Sequence, residues 1–304
     1  RKISQKRAEG ADVVTFAIGD PDIPTPSHIL DKMHEASQDP QNHRYPESDG
    51  LPELRRAIAN WYERRFGVTL DPSTEVLPLI GAKEGIGHAA LCFIDPGDIA
   101  LVPDPGYPVY SVGTLFAGGE CHWMPLTEEN NWLPDLNSIP AEIATKAKAL
   151  WINYPNNPTG GLATLEFFEE VVAFAKKHSI AVCHDNAYSE VTFDGYVAPS
   201  FLQVAGAIDV GIEFHSLSKT YNMTGWRVGW LNHPASIAPA VRTVTQYVNS
   251  GTAPFVQAGA LEALRSGEEA ALAMRDRCFA GLETVYERLR RSNAIRLPEM
   301  PVEL

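Results

Sequence analysis

Reactive side chains in this sequence fall repeatedly just after short apolar runs. Lys219 closes Ser216-Leu217-Ser218-Lys219, and Arg227 follows inside Gly225-Trp226-Arg227-Val228-Gly229. A primary amine can attack a carbonyl carbon to form an imine, and two hydroxyls with a guanidinium fork suit a phosphate. Cys183-His184-Asp185-Asn186-Ala187-Tyr188 puts a carboxylate at the end of a run and a phenol shortly after it. In Tyr154-Pro155-Asn156-Asn157-Pro158-Thr159-Gly160, the prolines and the glycine fix the loop and hold the Asn157 amide in one place. Gly81-Ala82-Lys83, ahead of a helical pattern from Glu84, lets backbone N–H groups approach an anion. Asp104-Pro105-Gly106-Tyr107-Pro108 is a turn that presents an aromatic ring. Each has an ordinary reading alone: an isolated lysine is usually a solvated charge, and Tyr107 by itself reads as packing.

The elements that must position these groups alternate along the chain. Val76–Ile80, Ile99–Pro103, Ala149–Asn153, Ile180–Asp185 and Gly211–Ser216 are apolar and short enough to be buried strands. The periodicity predicts a helix from Leu51 to about Phe66 with Leu54, Ile58, Trp61 and Tyr62 inward. A second, after Thr164, turns Leu165, Phe168, Val172 and Ala175 inward. It carries Glu166 in its first turn and Lys176-Lys177-His178 in its last, as the helix dipole favours. Apolar strands alternating with helices predict an α/β fold, with a mostly parallel central sheet covered by helices on both faces. In such sheets ligands bind beyond the carboxyl ends of the strands, where the groups above fall. His184 beside Asp185 has the composition of a dyad, but neighbouring strand residues point to opposite faces, so His184 reads as structural.

One ligand uses all of these groups. Pyridoxal 5′-phosphate (PLP) presents a phosphate, an aldehyde, a pyridine nitrogen, a 3′-oxygen and a flat ring. Lys219 supplies the amine. Asp185 keeps the pyridine nitrogen protonated, and Asn157 and Tyr188 donate to the 3′-oxygen. The phosphate takes the Ala82 and Lys83 backbone, the Ser216 and Ser218 hydroxyls and the Arg227 fork, while Tyr107 stacks on the ring.

Asn156-Asn157-Pro158-Thr159-Gly160, Asp185-x-x-Tyr188 and Ser216-x-Ser218-Lys219 with Arg227 resemble the signature of the fold-type I, class I/II PLP-dependent aminotransferases. So does Tyr45 followed by Gly50-Leu51-Pro52-Glu53-Leu54-Arg55. The resemblance implies a homodimer in which Tyr45 reaches the phosphate of the neighbouring subunit. It also implies substrate contacts from Gly19 (in Ile18-Gly19-Asp20-Pro21), Lys83, Tyr107 and Asn157. The implied division is an N-terminal segment over 1–25 belonging to a small domain, a large PLP-binding domain over 26–265, and a linker helix with the truncated start of an α+β small domain over 266–304. Longer stretches narrow the match: Gly81-Ala82-Lys83-Glu84-Gly85, the run from Pro103 to Tyr110, Phe193-Asp194-Gly195-Tyr196 and the run from Glu213 to Arg227. These resemble the branch of LL-diaminopimelate aminotransferases, which interconvert tetrahydrodipicolinate and glutamate with LL-diaminopimelate and 2-oxoglutarate in lysine biosynthesis. Glutamate–pyruvate and aspartate aminotransferases share many of these stretches and stay open as alternatives.

Family members continue further and draw the arginine that binds the substrate α-carboxylate from that part. The chain is therefore expected to be truncated or incomplete, to hold the cofactor and to turn over slowly. Arg296 arrives too early after Lys219 to serve as that arginine. A dehydrogenase reading rests on Gly85-Ile86-Gly87-His88-Ala89-Ala90, a G-x-G-x-x-A string, with Asp104 ending the next strand. Gly85 comes late for a tight first turn after Ile80, and that reading leaves Lys219, Asp185 and Arg227 unused. Non-enzymatic alternatives are a ligand sensor with an aminotransferase-like body, although no helix-turn-helix pattern lies before Phe16, and a PLP-holding fragment without turnover. A net charge of −13, from 38 acidic and 25 basic residues, repels phosphate backbones and argues against nucleic acid. No apolar run nears the ~18 residues of a membrane span. Cys92, Cys121, Cys183 and Cys278 lack metal-site spacing, which argues against a metal and suits the reducing cytoplasm.

Overall fold

The computed structural model describes residues 2–14, 19 and 21–292. Ile18, Asp20 and Arg296 lie outside them. The strands are β1 (Val76–Leu79), β2 (Ile99–Asp104), β3 (Glu120–Pro125), β4 (Ala147–Asn153), β5 (Ala181–Asp185), β6 (Gly211–Ser216) and β7 (Gly229–Asn232). They form one sheet in the order β1-β7-β6-β5-β4-β2-β3. From β3 to β6 every neighbouring pair is parallel, and β7 runs antiparallel to both β6 and β1. The sheet is thus mostly parallel, as the sequence implied.

The five anticipated strands are all present. β3 and β7 were not legible: Glu120-Cys121-His122-Trp123-Met124-Pro125 is an edge strand without a continuous apolar run, and β7 is only four residues long. Of the helix Leu165–His178, one anticipated contact is corrected. Leu165 is 39% exposed at the first position, and the buried stripe is Phe167, Phe168, Val171, Val172 and Ala175. A stripe at this spacing forms only once the helix is under way, and its opening residue lies to one side of it.

Two apolar layers cover the sheet, and alternation along each strand decides which layer a residue joins. Leu101, Leu150, Ile152 and Val182 face the helices Pro52–Phe66, Leu165–His178 and Pro254–Ser266. Val102, Ala149, Trp151, Cys183 and Phe214 face the helices Ala82–Phe93, Val109–Phe116 and Ala238–Val248. The first layer also holds a buried charge. Glu213 accepts hydrogen bonds from the Tyr62 hydroxyl at 2.8 Å, His184 Nδ1 at 2.7 Å, the Ser200 hydroxyl at 2.8 Å and the Phe201 N–H at 3.0 Å. His184 is therefore structural, on the face opposite its neighbour Asp185.

The dehydrogenase reading fails on packing. Gly85 lies inside the helix Ala82–Phe93, and a Cβ there would stand 2.4 Å from Leu79 Cδ1 and 3.1 Å from a Phe214 ring carbon. This glycine seats a helix on the sheet and lines no phosphate turn. No helix among the described residues is long and apolar enough to cross a membrane.

Gly229 opens β7 at the point where the helix Ala82–Phe93 begins. A Cβ at Gly229 would lie 2.6 Å from the His215 carbonyl oxygen and 2.8 Å from the Ala82 nitrogen, both backbone atoms that cannot rotate aside. Gly87, by contrast, has its nearest neighbour at 3.6 Å. Urea unfolding should show Gly229→Ala destabilised by about 1–3 kcal/mol through overpacking. Gly87→Ala should be stabilised by up to about 1 kcal/mol, because alanine is the better helix former.

Candidate active site

The parallel ladders bring one end of β4, β5 and β6 into line, with Asn153 opposite Asp185 and Asp185 opposite Phe214. Asp185 is 5% exposed. Its Oδ2 accepts from the Tyr110 hydroxyl at 2.8 Å, and its Oδ1 is buried with no hydrogen-bond partner among the described residues. Burial pushes its pKa up to about 6, against the opposing pull of the Tyr110 hydroxyl, His184 and the Ala187 N–H. A carboxylate with one oxygen held and the other open is a preformed acceptor for one N–H donor.

Asn153 ties the neighbouring loop to the backbone of Asp185. Its Nδ2 donates to the Asp185 carbonyl at 2.7 Å, and its Oδ1 accepts from the Asn157 N–H at 2.7 Å. Asn157 in turn directs its Nδ2 at the Tyr188 hydroxyl, 3.3 Å away. Asn157 and Tyr188 are therefore adjacent, so both could donate to one ligand oxygen. Burial raises the Tyr188 phenol to about 12, with the Asp185 charge adding to the effect, so it remains a donor. Tyr107 is half-buried and meets Tyr110 edge-on at 5.7 Å, while Lys83 Nζ lies 5.9 Å from the Tyr107 ring centre.

The amine and the phosphate-type groups occupy the adjoining edge. Ser216 ends β6, and its hydroxyl caps the short helix Leu217–Thr220 by accepting from the Ser218 N–H at 3.1 Å, which leaves its own proton to donate elsewhere. Lys219 sits in that helix, and its Nζ donates to the Gly19 carbonyl at 2.9 Å. Gly19 of the N-terminal segment thus touches the lysine through its carbonyl. The segment is pinned beyond that point by the Trp226 indole N–H, which donates to Thr25 Oγ1 at 3.1 Å, and by the Thr25 hydroxyl, which donates to the Asn222 carbonyl at 2.7 Å. Arg227 adopts a left-handed φ of 56° and hydrogen-bonds the Thr224 carbonyl at 2.8 Å. A Cβ on Gly81 would stand 2.5 Å from Arg227 Nη2, so the glycine's bareness, at φ 78°, lets the guanidinium lie against the start of the helix at Ala82.

The groups expected from sequence therefore converge on the carboxyl edge, with two exceptions. Tyr45 is 93% exposed, after the short helix Pro40–His43. Gly19 is exposed and reaches the site through its carbonyl. Tyr110 and Asn153 were missed. Tyr110 follows Tyr107 by one helical turn, the spacing at which two side chains share a face. A cleft of about 800 Å³ between the helices Pro52–Phe66 and Glu268–Leu289 is lined by Arg56, Arg64, Arg65 and Arg275 and contains none of these groups.

The raised pKa of Asp185 has a sign that can be checked. The folded chain binds a proton at this carboxyl more tightly than the unfolded chain does, so ionising it weakens the fold as pH rises from 3.8 to about 6. Asp185→Asn should stabilise the protein, free of bound small molecules, by up to about 3 kcal/mol near pH 8. That gain should vanish near pH 4, and urea unfolding at the two values measures it.

Over residues 11–301 the chain matches the family model described as aminotransferase class I and II. It is 59% identical over 269 residues to an LL-diaminopimelate aminotransferase of Dehalococcoides mccartyi, covering 88% of this chain and 69% of that protein. A protein of the same name from Moorella thermoacetica is 55% identical over 269 residues, with the same 88% and 69% coverage. Among solved structures, substrate-bound BacF from Bacillus subtilis superposes with a TM-score of 0.94 at 37% identity, covering all of this chain and 77% of that one. Carboxylate, amine and guanidinium stand together at the strand ends, and sequence and fold both match along nearly the whole chain: it belongs to the class I and II aminotransferases.

Proposed function

We propose that this cleft binds PLP and that the chain moves an amino group between LL-diaminopimelate and 2-oxoglutarate, a step of lysine biosynthesis. The observation that carries the cofactor part is Asp185 Oδ1, a buried acceptor without a partner on the floor of the site. The donor set fits the group. An N–H at a ring edge completes Asp185, the adjacent Asn157 and Tyr188 meet the ring's 3′-oxygen, and Tyr107 covers one face. The Ala82 and Lys83 N–H groups, the Ser216 and Ser218 hydroxyls and Arg227 would hold the phosphate. The names of the 55–59% identical relatives support the substrate pair.

When bound, PLP supplies an electron sink for the charge left when a proton leaves the substrate Cα. The chain's residues do the rest. Asp185 holds the proton on the ring nitrogen, which keeps that sink effective. Lys219 Nζ is the amine that attaches the cofactor and, once displaced, the base that takes the Cα proton. Gly19, whose carbonyl already touches Lys219 Nζ, lies where a substrate would enter. Lys83, Tyr107 and Asn157 border the same space. In a two-fold dimer Tyr45 would reach the partner's phosphate, both sites forming together. The division into a large domain over 26–265 and small-domain parts over 1–25 and 266–304 belongs to the same reading.

The protein purified with PLP should be yellow, and borohydride should leave the pyridoxyl group on Lys219 when peptides are mapped. Label elsewhere would overturn the assignment. Asp185→Ala should retain some PLP but lose most amino transfer, by roughly a hundredfold or more in kcat, since a preorganised charge partner is removed. Assays with 2-oxoglutarate as acceptor, run with LL-diaminopimelate, alanine and aspartate as donors, test the substrate. A preference for alanine or aspartate would replace the proposed donor and leave the cofactor reading intact.

A further inference from the structure

We propose that Tyr110 is the positioning residue of this site: its hydroxyl grips one oxygen of Asp185 so that the other is presented, ionised, to the ring nitrogen of bound PLP. This rests on the PLP reading above and assigns a role to a residue outside the cofactor-touching set.

Tyr110 is built to hold one orientation. It is 1% exposed in the first turn of the helix Val109–Phe116. Its ring lies flat on Trp151 at 4.7 Å and 12°, and Trp151 continues the stack onto Phe214 at 5.9 Å and 21°. Tyr107 closes it from the side, edge-on at 5.7 Å and 80°. With the ring fixed, the hydroxyl donates to Asp185 Oδ2 at 2.8 Å. Burial holds the Tyr110 phenol well above its ordinary pKa, so it stays protonated and donates at any working pH.

Two effects follow. A carboxylate is planar, so anchoring Oδ2 fixes the direction of Oδ1, which has no partner in the protein. A donor to the charged form also favours ionisation, opposing the burial that pushes Asp185 the other way. The remaining groups that act on this carboxyl are few. Tyr188 faces it from the following loop, and His184, next in sequence, is engaged by Glu213 on the other side of the sheet. The Ala187 N–H adds a neutral dipole. Tyr110 is thus the rigid donor among them.

The same hydroxyl couples two parts of the site. Tyr107, which would cover the ring face, packs on the ring of Tyr110, while Asp185, which would bind the ring edge, hangs from its oxygen. One side chain thus holds both Tyr107 and Asp185, the groups that would meet the face and the edge of the ring.

The test is PLP uptake by cofactor-free protein, followed by absorbance across a pH series. Tyr110→Phe keeps the stacked ring and removes only the hydroxyl. It should bind PLP about tenfold or more weakly near neutral pH. The acid limb of its affinity profile should move up by about one pH unit, because Asp185 is neutralised earlier. With Asp185→Asn already in place, Tyr110→Phe should change affinity by less than about twofold, since the group it serves is no longer charged. If the parent protein takes up no PLP, the cofactor reading fails and the role of Tyr110 falls with it. If the parent binds PLP and Tyr110→Phe matches it in affinity and pH profile, Tyr110 alone is misassigned. Equal weakening with and without Asp185→Asn also overturns the proposal. Should Tyr110→Phe unfold, Asp185→Asn should restore folding; failure to do so would place the role of Tyr110 in packing and refute the assignment.

Discussion

A carboxylate buried with half of its hydrogen-bonding capacity unused is an expensive thing to keep in a protein interior, and the site is organised around tolerating it. Removing Asp185 from water raises its proton affinity, so the fold has to supply compensating donors. It supplies the Tyr110 hydroxyl as the side-chain donor, with the Ala187 N–H adding to it, and leaves Oδ1 without a partner among the described residues. The β4–β5–β6 ladder fixes the backbone of Asp185, and Asn153 clamps its carbonyl. The aromatic layer beneath fixes the side-chain donor. Ala82, Ser216, Ser218 and Arg227 stand on the same edge because β1, β6 and β7 all begin or end there.

The opposite face of the sheet shows what a fully compensated carboxylate looks like. Glu213 is wholly buried and takes four hydrogen bonds from three parts of the chain, at Tyr62, His184 and Ser200-Phe201. Burial opposes its ionisation, yet these donors, led by His184, hold its pKa below the usual range. The two acids sit on neighbouring strands in similar depth of protein. They differ in their donors: both oxygens of Glu213 are engaged, whereas Asp185 keeps Oδ1 without a partner among the described residues.

Much of this was legible in the sequence, for a physical reason. Strands buried on both faces carry uninterrupted apolar runs, so β1, β2, β4, β5 and β6 announced themselves, and the chemistry fell just beyond them. Lys219, Asp185, Asn157, Tyr188 and Arg227 were picked out as candidates that way. β3 was hidden because an edge strand has one wet side, and β7 because four residues carry too little pattern. Tyr110 was hidden for another reason: a buried tyrosine on an amphipathic helix reads as core, and only its contact with an acid far along the chain shows that its oxygen has work to do. Glu213 was passed over for the same cause, since its donors are scattered from Tyr62 to Phe201. Local pattern reports on elements; it does not report on partners brought together by the fold.

The pairing of His184 with Glu213 has a bearing on how β5 tolerates insertions and deletions. Alternation means that sliding this strand by one residue would carry an imidazole into the cleft and a carboxylate into the apolar layer. An apolar strand has little to distinguish one alignment from the next, because isoleucine, valine and alanine fit either side. Here the alignment is keyed by a polar lock on the far face, where His184 finds its acceptor in only one setting. A residue remote from the cleft therefore guarantees which residue enters it, and single-residue indels in 181–185 are the lesions this architecture is least able to absorb.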